Sequence, residues 1–146
     1  LKIIINILII MKITICRKSH FNAAHKLYNP IWSKEKNLDV FGRCSYENYH
    51  GHNYELIVKF EGEIDQDTGM VMDLSDLKKI IVREVEDVLD HKNLNLDIDY
   101  FKDKIPSTEN LAVFIWNKLN DSIELEGKLS IVLYETPRNF VEYSGG

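Results

Sequence analysis

The sequence predicts an α+β fold, a four-stranded antiparallel sheet with two helices on one face. Three observations predict it. Tyr54, Leu56, Val58 and Phe60 alternate with Glu55, Lys59 and Glu61, the period of a strand buried on one side, with Ile57 the one exception. Leu74, Leu77, Ile81, Val85 and Val88 recur at helical spacing, with Lys78, Lys79, Arg83, Glu84 and Asp87 mostly on the opposite side. Pro106-Ser107-Thr108-Glu109 places a proline, hydroxyls and a carboxylate where helix starts favour them.

Taken in order, Leu1 to Ile10 is an apolar run holding Lys2 as its one charge. It resembles the apolar part of a signal peptide, but no small-residue cleavage site follows and it is too short to span a bilayer as a helix. Residues 1–10 are therefore read as an apolar N-terminal extension, native or due to a misplaced start, and residues 11–146 as one domain. Met11 to Lys18 is a β-branched run and the first strand. Leu27 to Tyr49 is polar and aperiodic, holds Pro30, Asn37 and Gly42, and reads as a long loop of the kind that carries function. The second strand runs from His50 to Phe60, and a turn follows over Glu63 to Gly69. Asp73 is a good N-cap for the first helix, which ends near Leu89. Leu111, Phe114, Ile115 and Leu119 give the second helix its apolar stripe. Leu129 to Glu135 and Asn139 to Tyr143 complete the order strand, strand, helix, helix, strand, strand. The outer strands of such a sheet are open edges, and pairing between copies of the chain is one solution.

The chemistry is concentrated between residues 25 and 52. His50 and His52, two apart on an extended segment, point to the same face, and that face is the apolar one. Imidazoles turned toward a core are costly unless each ring nitrogen finds a partner. A zinc ion supplies one. With His25 they form a three-nitrogen set that leaves a fourth tetrahedral position open, the pattern of a catalytic zinc. The alternative is a His-Gly-His turn with solvated side chains. Cys44 ends the long loop six residues before His50. A thiol acts as base or nucleophile only beside a cation, histidine or metal, and Asp90-His91 is a pair able to activate it. The same pair is also an ordinary C-terminal cap of the first helix. Glu135 shares the alternating face of Leu129, Ile131 and Leu133, so a carboxylate points toward the core. A ligand with two adjacent N–H donors, such as an aminopyrimidine, satisfies it, with Thr108 and Glu109 adding to the pocket; otherwise the strand has already emerged into solvent.

Composition narrows the partners. The 146 residues carry a net charge of −5, and the 18 Lys and Arg are scattered, which gives no electrostatic footprint for DNA or RNA. An anionic ligand must be met by a few local cations, Arg17, Lys18, Lys26 and Arg43 being the nearest to the histidines in sequence. Cys16, inside an apolar run, reads as a small core residue. With only two cysteines a disulfide framework is not expected, and a reduced cytoplasmic setting keeps Cys44 a thiol.

Phe21-Asn22-Ala23-Ala24-His25, Cys44 to Tyr54, Gly69 to Leu74, Leu89-Asp90-His91-Lys92-Asn93-Leu94, Ser107-Thr108-Glu109-Asn110 and Glu135-Thr136 together resemble the 6-pyruvoyl tetrahydropterin synthase family, over about Met11 to Tyr143. The resemblance implies a tunnelling fold, in which trimers close their sheets into a barrel and two trimers stack as a homohexamer. It implies His25, His50 and His52 as ligands of one zinc ion per subunit and Cys44 as base. Asp90 and His91 become a relay reaching in from a neighbouring subunit, and Glu135 a pterin anchor assisted by Thr108 and Glu109. The implied reaction converts 7,8-dihydroneopterin triphosphate to 6-pyruvoyl-tetrahydropterin with loss of triphosphate, magnesium being expected with the substrate. Neither nucleic acid nor membrane is implied as a partner.

Glu47 departs from the simple pattern. Related subfamilies carry a glutamate three residues before His-Gly-His in place of the cysteine, and cleave the dihydroneopterin side chain to 6-hydroxymethyl-dihydropterin for folate synthesis. This chain has both Cys44 and Glu47, as bifunctional members do, so Glu47 is either a second base or a charged loop residue. A third relative, 6-carboxy-tetrahydropterin synthase, has a shorter cysteine-to-histidine spacing. A catalytically silent zinc or pterin-binding module is the reading from a different class, and the full set of zinc, base and anchor residues argues against it.

Overall fold

A computed structural model of the chain describes residues 10–146. The apolar run of residues 1–10 lies, apart from Ile10, outside the described residues.

Among the described residues five strands form one sheet, in the order β3 (Lys92–Asn93), β1 (Lys12–His25), β2 (His50–Glu63), β4 (Lys128–Tyr134), β5 (Phe140–Tyr143). β1 (Lys12–His25) and β2 (His50–Glu63) are its long central pair, antiparallel from Lys12 opposite Glu63 to His25 opposite His50. β4 (Lys128–Tyr134) pairs antiparallel with β2, and β5 (Phe140–Tyr143) with β4. The fifth strand is a correction to the four expected: β3 (Lys92–Asn93) lies parallel to β1 beside Ala23 and Ala24. Two residues are too few to show a period. β1 is also longer than the expected Met11 to Lys18, because Arg17 and Ser19 take inward positions between Ile15 and Phe21 and mask the alternation. That phase puts Cys16 on the other face. It is exposed and not a core residue, and both cysteines are free.

The expected long loop contains a helix. α1 (Lys34–Phe41) starts at Ser33, whose hydroxyl accepts from Lys36 N–H at 3.1 Å, and runs into a 3-10 turn, Gly42–Ser45. Its one buried residue is Asn37, so it has no apolar stripe to reveal it. Asp73 caps α2 (Leu74–Ile81) as expected, accepting from Ser75 N–H at 2.7 Å. A π-helical turn, Val82–Glu86, and α3 (Asp87–Leu89) continue it, so Leu77, Ile81, Val85 and Leu89 are buried at intervals of four. A short α4 (Leu94–Asp97) precedes α5 (Thr108–Ser122), which is capped by Ser107 and buries Leu111, Phe114, Ile115 and Leu119.

One core fills the space between sheet and helices. Tyr54, Leu56, Val58 and Leu133 from the sheet meet Leu77, Val85, Leu111 and Ile115 from the helices, all fully buried. The other face of the sheet carries charged residues such as Lys18, Glu55 and Lys59 around Ile57 and Val132, and in the single chain the sheet is open among the described residues, not closed as a barrel.

Candidate active site

The pairing of β1 with β2 brings the three histidines together. His25 stands opposite His50, and His52 stands opposite Ala23 on the same inward face. Their ligating nitrogens all lie within 4.8 Å of one another. His25 is fully buried, and its Nδ1 is 2.7 Å from the Pro106 carbonyl, so Nδ1 carries the proton and Nε2 the lone pair. That Nε2 faces His50 Nε2 at 3.0 Å. His52 Nε2 is buried and has no hydrogen-bond partner among the described residues. Two facing nitrogens and an orphaned third are what a cation with nitrogen ligands would satisfy, so the residues present fit a metal ion. Burial lowers the pKa of His25 to about 4, and burial with His52 nearby lowers that of His50. Both are held in the neutral, ligating form.

Glu135 follows β4 directly, its N–H bonded to the Asn139 carbonyl at 3.1 Å. It is half-buried, and Oε1 lies 3.5 Å from both His25 Nε2 and His52 Nε2. It also borders a cavity of about 400 Å³ together with Thr108, Glu109, Arg138 and Phe140, which joins the three residues expected to form a ligand pocket. Cys44 sits on the 3-10 turn after α1, half-buried, with its carbonyl accepting from Leu27 N–H at 2.8 Å. Burial pushes its thiol up, and the Glu135 carboxylate pushes it further in the same direction.

Asp90 and His91 pair with each other and dock on β1. Asp90 Oδ2 accepts from His91 Nδ1 at 2.8 Å and Oδ1 accepts from Asn22 N–H at 2.8 Å, while His91 N–H donates to the Asn22 carbonyl at 2.7 Å. These bonds hold His91 at a φ of +59°, a conformation that most residues avoid. Its ring is 79% exposed, and among the described residues no hydrogen bond joins the pair to Cys44. Glu47 is exposed and makes no hydrogen bond or ion pair among the described residues.

Several groups of the site escaped the sequence. The Pro106 carbonyl has no side-chain signature. Arg138 and Phe140 reach the pocket because the turn after β4 folds back, for which Pro137 and Asn139 were the available signal. Of the expected cations, Lys26 is placed over the rings of Tyr28 and Tyr49, at 5.3 and 5.0 Å from their centroids.

Fold and site define an α+β protein with a three-histidine group able to hold a metal ion, beside a pocket of small-molecule size. The family model for 6-pyruvoyl tetrahydropterin synthase matches residues 14–146. The 6-pyruvoyl tetrahydrobiopterin synthases of Pongo abelii and Homo sapiens are 47% and 45% identical to this chain over 131 residues, covering 90% of it and 90% of each relative. The solved structure of Caenorhabditis elegans 6-pyruvoyl tetrahydropterin synthase matches with a TM-score of 0.87 and 36% identity, over 94% of this chain and 98% of that one. The chain belongs to the 6-pyruvoyl tetrahydropterin synthase family.

Proposed function

We propose that the chain is a zinc-dependent lyase converting 7,8-dihydroneopterin triphosphate to 6-pyruvoyl-tetrahydropterin with release of triphosphate. The observation that supports this reading is the set of three inward histidines, one of them with a buried nitrogen that makes no hydrogen bond among the described residues. His25, His50 and His52 would hold the ion, and zinc suits three nitrogens with a fourth position free. When bound, it supplies Lewis acidity toward the hydroxyls of the substrate side chain.

The remaining work belongs to the chain. The Pro106 carbonyl keeps His25 in the one tautomer that turns Nε2 to the centre. Glu135 accepts the adjacent N–H donors of the pterin ring, with Thr108 and Glu109 on the same pocket wall. Cys44 takes the proton from the side-chain carbon next to a hydroxyl. Its raised pKa means that it needs a cation or an imidazole nearby to do so. Asp90 fixes His91 with Nδ1 as donor, which leaves Nε2 free to exchange a proton with a thiol. An exposed His91 suits delivery into a neighbouring subunit's site, within a homohexamer built as a dimer of trimers. Elimination of triphosphate and internal redox then need no external reductant, magnesium accompanying the triphosphate. The cytoplasm is the proposed compartment; among the described residues no helix is long and apolar enough to cross a membrane. Side-chain cleavage through Glu47 gains no support from a carboxylate that is exposed and makes no hydrogen bond or ion pair among the described residues.

Two substitutions separate the parts. Cys44→Ala is expected to keep its metal, measured by elemental analysis, and to lose triphosphate release by about 100-fold or more, the usual contribution of a general base. His50→Ala is expected to lose the metal. Undiminished turnover by Cys44→Ala would overturn the base assignment.

A further inference from the structure

Three consecutive residues at the end of β1 are each tied to a different part of the molecule. His25 Nδ1 donates to the Pro106 carbonyl at 2.7 Å, and Leu27 N–H donates to the Cys44 carbonyl at 2.8 Å. Between them, Lys26 N–H donates to Asn95 Oδ1 at 2.8 Å while Asn95 Nδ2 donates to the Lys26 carbonyl at 3.0 Å. One side-chain amide thus takes both main-chain groups of a single residue. β3 has ended at Asn93, and Asn95 supplies in its place the two bonds that a neighbouring strand would have made.

The amide is itself held. Asn93 Oδ1 caps α4, accepting from Asn95 N–H at 3.1 Å and Leu96 N–H at 3.3 Å, and Asp97 Oδ2 accepts from Asn93 N–H at 2.8 Å. Leu94 anchors the same turn in the core, fully buried. Asn95 is therefore presented to Lys26 from a braced turn.

We infer that Asn95 is a positioning residue for the metal centre and for Cys44, acting through the backbone of Lys26. It rests on the reading of His25 as ligand and Cys44 as base. Lys26 is the residue between the two, so its backbone sets the direction from which His25 enters the centre and the height at which Leu27 holds the Cys44 turn. Partners bonded directly to a ligating side chain, as the Pro106 carbonyl is to His25, change metal affinity or activity by about 10- to 100-fold when removed; Asn95 acts one residue away, and a displacement of about 1 Å at a reacting group is enough for a loss of about 100-fold. The chemistry requires an amide. Aspartate of the same length keeps the acceptor for Lys26 N–H and loses the donor for the Lys26 carbonyl; leucine loses both.

The test is cobalt(II) titration of the full-length metal-free protein, read by the visible absorption bands of the bound ion. It is paired with the rate of Cys44 labelling by a thiol reagent in a Cys16→Ser background, Cys16 being exposed. Asn95→Leu is expected to bind cobalt about 10- to 100-fold more weakly with altered bands, to change the Cys44 labelling rate, and to lower kcat more than it raises KM. Asn95→Asp is expected to fall between leucine and wild type, and it carries the test if Asn95→Leu does not fold. A variant with reduced thermal stability but wild-type cobalt affinity, bands and labelling would overturn the inference, as would one unchanged in every respect. Wild-type protein that binds no cobalt would overturn the metal-centre reading itself, and the inference with it.

Discussion

His25 is a titratable side chain whose protonation is decided by burial. Its imidazole is held at about 4 against an ordinary value of 6.5, so the folded protein keeps it neutral where the unfolded chain would take up a proton. The contribution to stability is complete above pH 6.5 and is lost as pH falls from there toward 4, because over that interval the unfolded state binds more protons. Metal-free protein is expected to lose up to about 3 kcal/mol of unfolding free energy across it, with His50 shifted in the same direction. Urea unfolding at pH 7.5 and 4.5 measures the loss. A wild-type profile no steeper than that of His25→Phe would contradict it. His50, His52 and Glu135 were given their faces by a strand's period of two, whereas His25 was added from a segment to which the sequence assigned no strand, and the pairing of β1 with β2 is what sets it opposite His50. The Pro106 carbonyl and the Asn95 amide were not legible in the sequence, since backbone acceptors and side-chain clamps leave no pattern. Cys16 was misread for a related reason: an apolar run alone carries no phase, and Arg17 and Ser19 set the phase that turned it outward.

Elements with a strong period were read correctly and weakly patterned ones were not. α5 buries the stripe that the spacing announced, and the helix over α2 and α3 buries Leu77, Ile81 and Val85 of its own but leaves Leu74 exposed and takes Leu89 into the core, whereas α1 is held by the amide of Asn37. That residue accepts from Asn29 N–H at 2.7 Å and donates to the Asn29 carbonyl at 2.9 Å and the Ser33 carbonyl at 3.0 Å. A helix organised by one buried polar residue looks like a loop in sequence. The entry to β4 shows how tightly the elements meet. A Cβ at Gly127 would overlap the Glu61 carbonyl and the Phe60 ring, so any side chain there must move β4 away from β2. Gly127→Ala is expected to cost about 1–3 kcal/mol, the range for an overpacked contact, and to lower the thermal midpoint by about 3 °C or more. An unchanged midpoint by calorimetry would show that the strand entry can give without strain.

At the scale of the whole molecule, among the described residues, the sheet is open, β5 is paired on one side only, and β1 meets β3 at two residues. Open edges are templates for pairing with another chain unless they are short, charged, bulged or covered. The fold class was readable from periodicity, but closure of the barrel came only from resemblance to a known family, because nothing in a single sequence states how many copies assemble. The same holds for His91. Its pairing with Asp90 is built into the end of α3 and its ring is exposed, and the proposal that it serves a neighbouring subunit's site rests on that exposure together with the family resemblance. The histidine cluster, by contrast, is complete within one chain, so ligand binding and catalysis are expected to depend differently on assembly.

The reading of the protein as a synthase is tested most directly by mass spectrometry of the products formed when zinc-loaded protein meets 7,8-dihydroneopterin triphosphate, and separately dihydroneopterin. Release of triphosphate with a pyruvoyl-tetrahydropterin product, and no reaction with dihydroneopterin, is the expected result. Formation of 6-hydroxymethyl-dihydropterin from either substrate, without a pyruvoyl product, would contradict it and make Glu47 the catalytic base.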